Sequence, residues 1–372
     1  MNILILSTHF NTGGITSYIS SIAKGLAQKN HRVYVITSGG DSEKKLHDLG
    51  VEHITLDIKT KSELSVKIYR NIPKVVKIIR QNHIDVIHAQ TRVTQVLAAA
   101  VSAWTGVPYV TTCHGFFKPK LVRKIFPCWG KAVIAISGQV QDHLVNDLGC
   151  ARKKIFFVPH GLDAQREIWD ERKKNDKRKE LRLESGPVIG MIARLSEVKG
   201  QDILIKAMKK VIGKFPNANL LLVGEGKFKD ALLSLVKELS LEPNVFFLAV
   251  TQREQNILPL FDIFVMPSRQ EGLGLSVMEA QAQGLAVVAS DVGGLPTLIE
   301  DGKTGLLIPK ENIEQLAQAI ISLIEHPQKR AALGEAAYHF IAKNFPFENM
   351  INQTLDVYQK VIADEKGSCC HC

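Results

Sequence analysis

Short valine- and isoleucine-rich runs alternate with amphipathic helical stretches along almost the whole chain, and the pattern runs through twice. Continuous apolar runs suit strands buried on both faces, and the helices between them are the crossovers that parallel strands require. In the first half the pattern predicts strands at Ile3–Leu6, Val33–Thr37, Asp85–His88, Tyr109–Thr112, Ala132–Ile136 and Ile155–Val158, with helices near 15–29, 63–81, 91–105 and 137–148. In the second it predicts strands at Val188–Ile192, Leu220–Val223, Val245–Leu248, Ile263–Val265, Ala286–Ala289 and Gly305–Ile308, with helices near 200–213, 227–240, 275–284, 311–325 and 327–343. The expected fold class is α/β, with two Rossmann-like, doubly wound parallel-sheet domains facing a cleft. Ligands are then expected at the carboxyl ends of the strands. The boundaries read as an N-terminal domain over 1–166, a charged linker over 167–185, a C-terminal domain over 186–344, a helix over 345–363 and a Cys-rich tail over 364–372. The linker reading rests on Glu171 to Lys179, a charge run that cannot enter a core.

With 372 residues, 45% of them hydrophobic, the chain can bury two cores, and its 23% charged content excludes a disordered polymer. The net charge of +10 is uneven: residues 1–180 hold 28 Lys and Arg against 15 Asp and Glu, and the remainder 19 against 22. A basic front half points to an anionic partner, whether phosphate-rich substrate, anionic lipid or nucleic acid. Met1-Asn2 runs straight into Ile3 without a basic leader, so no secretory signal is expected. The uncharged stretch Val93–Cys113 contains Gln95, Gly106 and Pro108, and reads as a buried helix and strand rather than a membrane span. Cys113, Cys128 and Cys150 have neither disulfide nor zinc spacing, so the expected compartment is a reducing cytoplasm.

The first strand leads into Gly13-Gly14 just before a helix, where bare amides can receive an anion. The spacing is not Gly-x-Gly-x-x-Gly, and the second predicted strand ends in Thr37-Ser38-Gly39 without a ribose-binding acid, so a nicotinamide dinucleotide site is rejected. Gly302-Lys303-Thr304 lacks the upstream glycine of a P-loop, with Thr297 standing there. After the strand Val188–Ile192, Arg194 and Lys199 lie five residues apart on one loop, a forked contact and a point charge suited to a diphosphate. A solvated pair of surface cations is the bland alternative. Further on, Glu271-Gly272-Leu273-Gly274 precedes a helix carrying Glu279, with glycine amides at a positive helix end. By spacing alone, Glu271 and Glu279 read equally as a surface acid and a helix-dipole partner.

These motifs, taken in order, resemble the retaining glycosyltransferases of family four, which have the two-domain GT-B fold. The resemblance rests on Gly13-Gly14, Asp85-Val86-Ile87-His88-Ala89, Cys113-His114-Gly115, Val158-Pro159-His160-Gly161-Leu162-Asp163, Arg194 to Gly200, Val223-Gly224-Glu225-Gly226, Glu271 to Gly284, and Gly293 through Gly305. Ala286 replaces a usual proline, Thr297 a usual acid and Ala249 a usual glycine. The resemblance implies transfer of a hexose or N-acetylhexosamine from a nucleoside-diphosphate sugar, uridine ahead of guanosine, to a glycan or lipid-linked acceptor in envelope polysaccharide or lipopolysaccharide synthesis. It implies that Arg194 and Lys199 hold the diphosphate, that Glu279 takes the ribose hydroxyls, and that Glu271 with Gly272, Leu273 and Gly274 binds the donor sugar. His114 would lie beside the reacting sugar, Gly13 and Gly14 would close over the phosphates, and the last helix would cross back to the N-terminal domain.

The chain has no Asp-x-Asp and no His/Cys/Asp cluster of metal-ligand spacing, so no metal or other cofactor is expected. Fixed cations then stabilise the charge growing on the leaving diphosphate. A hydrolase-type double displacement needs a carboxylate nucleophile about 5 Å from an acid; no pair can be nominated, which favours same-face attack. Lys67, Arg70, Lys74 and Lys77 share a helical spacing that Pro73 interrupts or kinks, and Phe116 to Trp129 mixes aromatic with basic residues. Both suit an anionic membrane surface, or equally a solvated cationic face. The alternatives are a nucleotide-sugar epimerase or hydrolase on the same frame, and a nucleic-acid binder, which lacks any recognition motif and is not expected. Cys369, Cys370 and Cys372 remain unassigned.

Overall fold

In the computed structural model the described residues are 1–60, 62–119, 123, 125–183, 186–249 and 257–369. They fall into two compact units, residues 1–161 with 347–372 and residues 162–346.

Unit 1 holds strands β1 (Asn2–Leu6), β2 (Arg32–Thr37), β3 (Glu52–Thr55), β4 (Val86–Ala89), β5 (Tyr109–Cys113), β6 (Ala132–Ala135) and β7 (Ile155–Phe157). Its helices are α1 (Gly14–Gln28), α2 (Glu43–Asp48), α3 (Val66–Gln81), α4 (Arg92–Thr105) and α5 (Gly138–Asn146). The sheet order is β3-β2-β1-β4-β5-β6-β7, and every pairing is parallel. Strand order reverses between β1 and β4, where Ile3 pairs with Val86 and Leu6 with Ala89; this is the ligand-binding crevice of a doubly wound sheet. The stretch Val93–Cys113 is a helix and a strand, as its composition predicts. Ser65 caps α3 by accepting from the Lys67 amide, and the helix runs unbroken through Pro73. Pro73 is exposed, so the carbonyl it leaves without a partner faces water. The opposite face of α3 puts Ile68, Ile72, Val75, Val76 and Ile79 into one cluster with Val93, Leu97 and Val101 of α4, at about 1.5–3 kcal/mol per buried side chain.

Unit 2 holds β8 (Val188–Ile192), β9 (Asn219–Val223), β10 (Val245–Leu248), β11 (Ile263–Met266), β12 (Ala286–Ser290) and β13 (Leu306–Ile308). Its helices are α6 (Glu171–Glu180), α7 (Gln201–Lys214), α8 (Lys229–Glu238), α9 (Leu275–Ala282), α10 (Leu295–Leu298), α11 (Ile313–Glu325) and α12 (Pro327–Asn344). The order is β10-β9-β8-β11-β12-β13, again parallel, with the switch point between β8 and β11. The final helix, α13 (Phe347–Cys369), belongs to unit 1, where Tyr358 is buried against His88.

Two boundary expectations need correction. The chain passes between units at Gly161/Leu162 and Pro346/Phe347, not at 166 and 344, because Leu162 bridges Pro346 and its amide donates to the Phe345 carbonyl at 2.9 Å. The charge run expected as a linker is α6, and it belongs to unit 2. Asp170 caps it by accepting from the Lys173 amide, and Arg178 reaches Asp262, which also accepts from the Val188 amide. Lysine, arginine and glutamate are good helix formers, so the run needs no apolar face to be helical once its ends are tied. The reassignment changes the charge map: unit 1 has 23 basic residues against 13 acidic, unit 2 has 24 of each, and unit 1 therefore carries the whole excess. The predicted tail from 364 is helical as far as Cys369; Cys370–Cys372 lie outside the described residues.

Candidate active site

Two loops flank the switch point of unit 2. The first leaves β8 and carries Arg194 and Lys199. The second leaves β11 and carries Glu271, Gly272, Leu273 and Gly274 ahead of α9. Glycine brings them together: Gly200, at φ +73°, sits where a Cβ would lie 2.0 Å from the Pro267 carbonyl oxygen, so no side chain fits. The Arg269 amide donates to the Val198 carbonyl at 2.8 Å, a backbone tie between the loops.

The result is a direct contact that motif spacing cannot show. Lys199 Nζ donates to Glu271 Oε2 at 2.5 Å, with side-chain exposures of only 24% and 12%. Ser268 Oγ donates to the same carboxylate oxygen at 3.4 Å. An ammonium has three donors, so the pairing leaves Lys199 two more. Arg194 is exposed and has no ion pair among the described residues; its backbone carbonyl accepts from Gln201 Nε2 at 3.0 Å, which fixes the loop while the guanidinium stays in solvent. The amides of Gly272, Leu273 and Gly274 make no hydrogen bond among the described residues, and Gly274 opens α9 at φ +101°. Glu279 lies in α9, half-buried. Beneath the loop, Gly293 places its Cα where a Cβ would sit 1.9 Å from the Glu271 carbonyl oxygen, and the Gly294 amide donates to that oxygen at 3.1 Å. The paired glycines thus hold up the turn that presents Glu271.

Unit 1 places its candidates at the ends of β1, β4 and β5. Gly13 and Gly14 are exposed at the start of α1. His114, just past β5, meets Gln90, just past β4, through Nε2 and Oε1 at 2.8 Å. An amide oxygen can only accept, so the proton sits on Nε2 and leaves Nδ1 bare. The Tyr18 ring stands edge-on to His114 at 4.7 Å and lies 5.6 Å from His160. Burial, with a smaller contribution from His160, holds the His114 imidazole down at about 3. Burial and His114 together hold His88 at about 3, and burial holds His160 at about 4. All three are neutral at physiological pH, so this part of the basic unit presents no imidazolium charge. His88 is fully buried between Tyr358 Oη, 2.6 Å from Nδ1, and Thr112 Oγ1, 2.7 Å from Nε2; Thr112 in turn meets Tyr18 Oη at 3.3 Å. Gln90 Nε2 and His160 Nδ1 are buried with no hydrogen-bond partner among the described residues.

Three contributors escape sequence reasoning: Gln90, Tyr18 and Arg269. The first has a usable signal, since it directly follows a strand at the switch point. Tyr18 reads as one more core residue of α1, and Arg269 carries no pattern at all. Among the described residues no group of three or more His, Cys, Asp or Glu is arranged to hold a metal ion, and no helix is long and apolar enough to cross a membrane.

Two parallel doubly wound units, with cations and a carboxylate at a switch point, define a GT-B glycosyltransferase fold. The family description "Glycosyl transferases group 1" matches residues 172–340 and "Glycosyltransferase Family 4" matches residues 12–166; the chain belongs to glycosyltransferase family four. Anabaena Alr3699/HepE, crystallised in complex with UDP-glucose, superposes with a TM-score of 0.87 at 24% identity, over 97% of this chain and 100% of that one. A glycosyltransferase from Rickettsia africae ESF-5 gives 0.86 at 23%, over 97% and 98%. Among curated proteins, a GDP-mannose-dependent monoacylated alpha-(1-6)-phosphatidylinositol monomannoside mannosyltransferase of Corynebacterium glutamicum is 35% identical over 213 residues, 54% of this chain and 55% of that protein. The matched stretch thus spans about half of that relative. N-acetyl-alpha-D-glucosaminyl L-malate synthase of Bacillus anthracis is 24% identical, over 96% of both chains.

Proposed function

We propose that this protein is a retaining glycosyltransferase moving a hexose or N-acetylhexosamine from a nucleoside-diphosphate sugar to a glycan or lipid-linked acceptor of the cell envelope. The observation that carries the reading is the Lys199–Glu271 contact at the unit 2 switch point, with Arg194 on the same loop as Lys199. A carboxylate is an acceptor for sugar hydroxyls, and a cation beside it meets the diphosphate to which that sugar is bonded. As the sugar–phosphate bond breaks, its electron pair goes to the leaving diphosphate oxygen, and Arg194 and Lys199 stabilise that charge more than the ground state. Positive side chains perform the task without a metal ion, and the acceptor hydroxyl attacks the face the diphosphate leaves, its proton passing to the departing phosphate oxygen. In unit 1, His114 is assigned to sugar hydroxyls, backed by Gln90, whose Oε1 it meets.

The relatives divide on the donor base, with GDP-mannose named for the curated mannosyltransferase and UDP-glucose for the superposed structure. The test is thermal shift with UDP- and GDP-sugars, followed by product analysis with and without acceptor and chelator. The expected outcome is stabilisation by one base class, about 2.7 kcal/mol at 100 times the dissociation constant, with transfer that survives chelation. Free sugar released without acceptor makes the protein a hydrolase, and activity restored only by added magnesium refutes the metal-free mechanism.

Unit 1 also offers an anionic-membrane surface. The outer face of α3 carries Val66, Tyr69, Arg70, Lys74 and Lys77, all exposed. Arg92 ties the start of that helix to the 116–129 segment: Nε donates to Glu63, and NH1 and NH2 donate to the Pro127 and Phe126 carbonyls, each at 2.6 Å. Ile125 and Phe126 are exposed on that segment, as are Leu64 and Val66 at the start of the helix; Lys120–Val122 and Lys124 lie outside the described residues. Exposed apolar side chains ringed by cations are the composition of an interfacial anchor, worth about 1 kcal/mol per basic residue near anionic lipid. The protein is expected to sediment with phosphatidylglycerol vesicles at low salt and not with phosphatidylcholine. Absence of binding to either rules the surface out.

A further inference from the structure

Arg269 makes more directed contacts than the residues the motif reading singles out, although it belongs to none of the chemistry proposed above. Its NH1 and NH2 fork onto Asp202 Oδ1 and Oδ2 at 2.9 and 2.8 Å, its NH1 also donates to the Glu197 carbonyl at 2.6 Å, and its Nε donates to Glu311 Oε1 at 2.6 Å. Each partner belongs to a different piece of the site. Glu197 is in the Arg194–Lys199 loop, Asp202 lies three residues beyond Lys199 in the first turn of α7, and Glu311 follows β13. Arg269 itself lies two residues before Glu271. Both side chains of the fork are largely shielded, 22% and 18% exposed.

We propose that Arg269 is a positioning residue that sets the spacing between the Lys199 loop and the Glu271 loop, and so the register between diphosphate and sugar in one donor molecule. The inference rests on the glycosyltransferase reading. A planar guanidinium can satisfy two carboxylates and a carbonyl in fixed directions; a lysine ammonium keeps the charge and loses the fork. Burial alone would raise the Asp202 carboxyl, but the bonded Arg269 more than offsets this and holds it below its ordinary value, while the same bond raises the guanidinium. The clamp therefore stays charged across the working range of pH. Catalytic sites tolerate little slack: a misplacement of about 1 Å can cost roughly 10²-fold.

The spacing role has a signature that a purely structural role lacks. Calorimetric titration of wild type, Arg269→Lys, Arg269→Gln and Asp202→Asn is run with UDP, GDP and their sugar conjugates. On the glycosyltransferase reading the bare nucleotide meets the Lys199 loop and, through its ribose, Glu279, while only the sugar reaches Glu271. The nucleotide sugar therefore depends on the spacing of the two loops more than the bare nucleotide does. Arg269→Gln and Asp202→Asn are expected to weaken the nucleotide sugar by roughly 10–100-fold and the bare nucleotide several-fold less. Arg269→Lys is expected to fall between them and wild type, with circular dichroism unchanged in all. If Arg269→Gln weakens both ligands by one common factor, or neither, the positioning role is overturned while the donor site stands. If wild type binds no nucleotide or nucleotide sugar, the glycosyltransferase reading fails and this inference fails with it.

Discussion

Lys199→Ala is expected to lower turnover by about 10²–10³-fold, the cost of losing a pre-placed group that stabilises developing charge, and Glu271→Ala by a similar factor. The two should be far from additive. Their side chains touch at 2.5 Å, so removing either disorders the other. Lys199→Ala leaves a carboxylate 12% exposed without its cation, next to a diphosphate that it then repels. Glu271→Ala frees the ammonium but removes the acceptor for sugar hydroxyls. The loss of Lys199 should therefore appear in both donor affinity and turnover, and the loss of Glu271 mainly with the intact nucleotide sugar. Steady-state kinetics on the two single variants and the double variant, with circular dichroism to confirm folding, checks this. Turnover like wild type in either single variant removes that residue from the site.

The second large effect is acid destabilisation of unit 1. His88 and His114 are held at about 3 and His160 at about 4, all by burial first, against about 6.5 in an unfolded chain. Their folded values lie below the unfolded one, so the unfolded state binds protons that the folded state refuses. The sign follows: the stability these groups permit is complete above pH about 6.5 and is lost progressively as pH falls toward 3–4. Each neutral buried imidazole costs about 1.4 kcal/mol per pH unit below 6.5. Their neighbours Tyr18, Tyr358, Thr112 and Gln90 are uncharged at neutral pH and offer no compensating anion. Between pH 6.5 and 5.5, where the unfolded imidazoles pass from half to nine-tenths protonated, the three together remove about 3 kcal/mol, a fall in unit 1 melting temperature on the order of 10 °C. His88→Gln, which cannot take up the proton, should reduce the slope by about a third. A melting temperature flat over that interval contradicts the neutral state of these histidines.

The strand–helix alternation was legible because a doubly wound parallel sheet repeats a local rule: strands buried on both faces must be apolar throughout. All twelve strands predicted from it are present, with ends differing by a residue or so. Another described strand, β3, escaped because Glu52–Thr55 is an edge strand in which three of four residues are polar. The charge run at α6 misled in the opposite direction. It looked like solvent-borne linker because it has no core-facing stripe, and its helicity comes from propensity, the Asp170 cap and the Arg178–Asp262 tie.

By itself the sequence determined the fold class, the family, and the positions of Arg194, Lys199, Glu271 and His114 relative to strand ends, because each depends on residues adjacent in the chain. Only the tertiary structure decided that Lys199 touches Glu271, that Arg269 bonds Glu197 and Asp202, that Gly200 and Gly293 permit the backbones to meet, and that His88 and His160 are buried, His114 half-buried, and all three neutral. Each of these couples residues that lie at or beyond the ends of different strands. Their energies depend on distances of about 2–3 Å, which no linear pattern of residue types encodes.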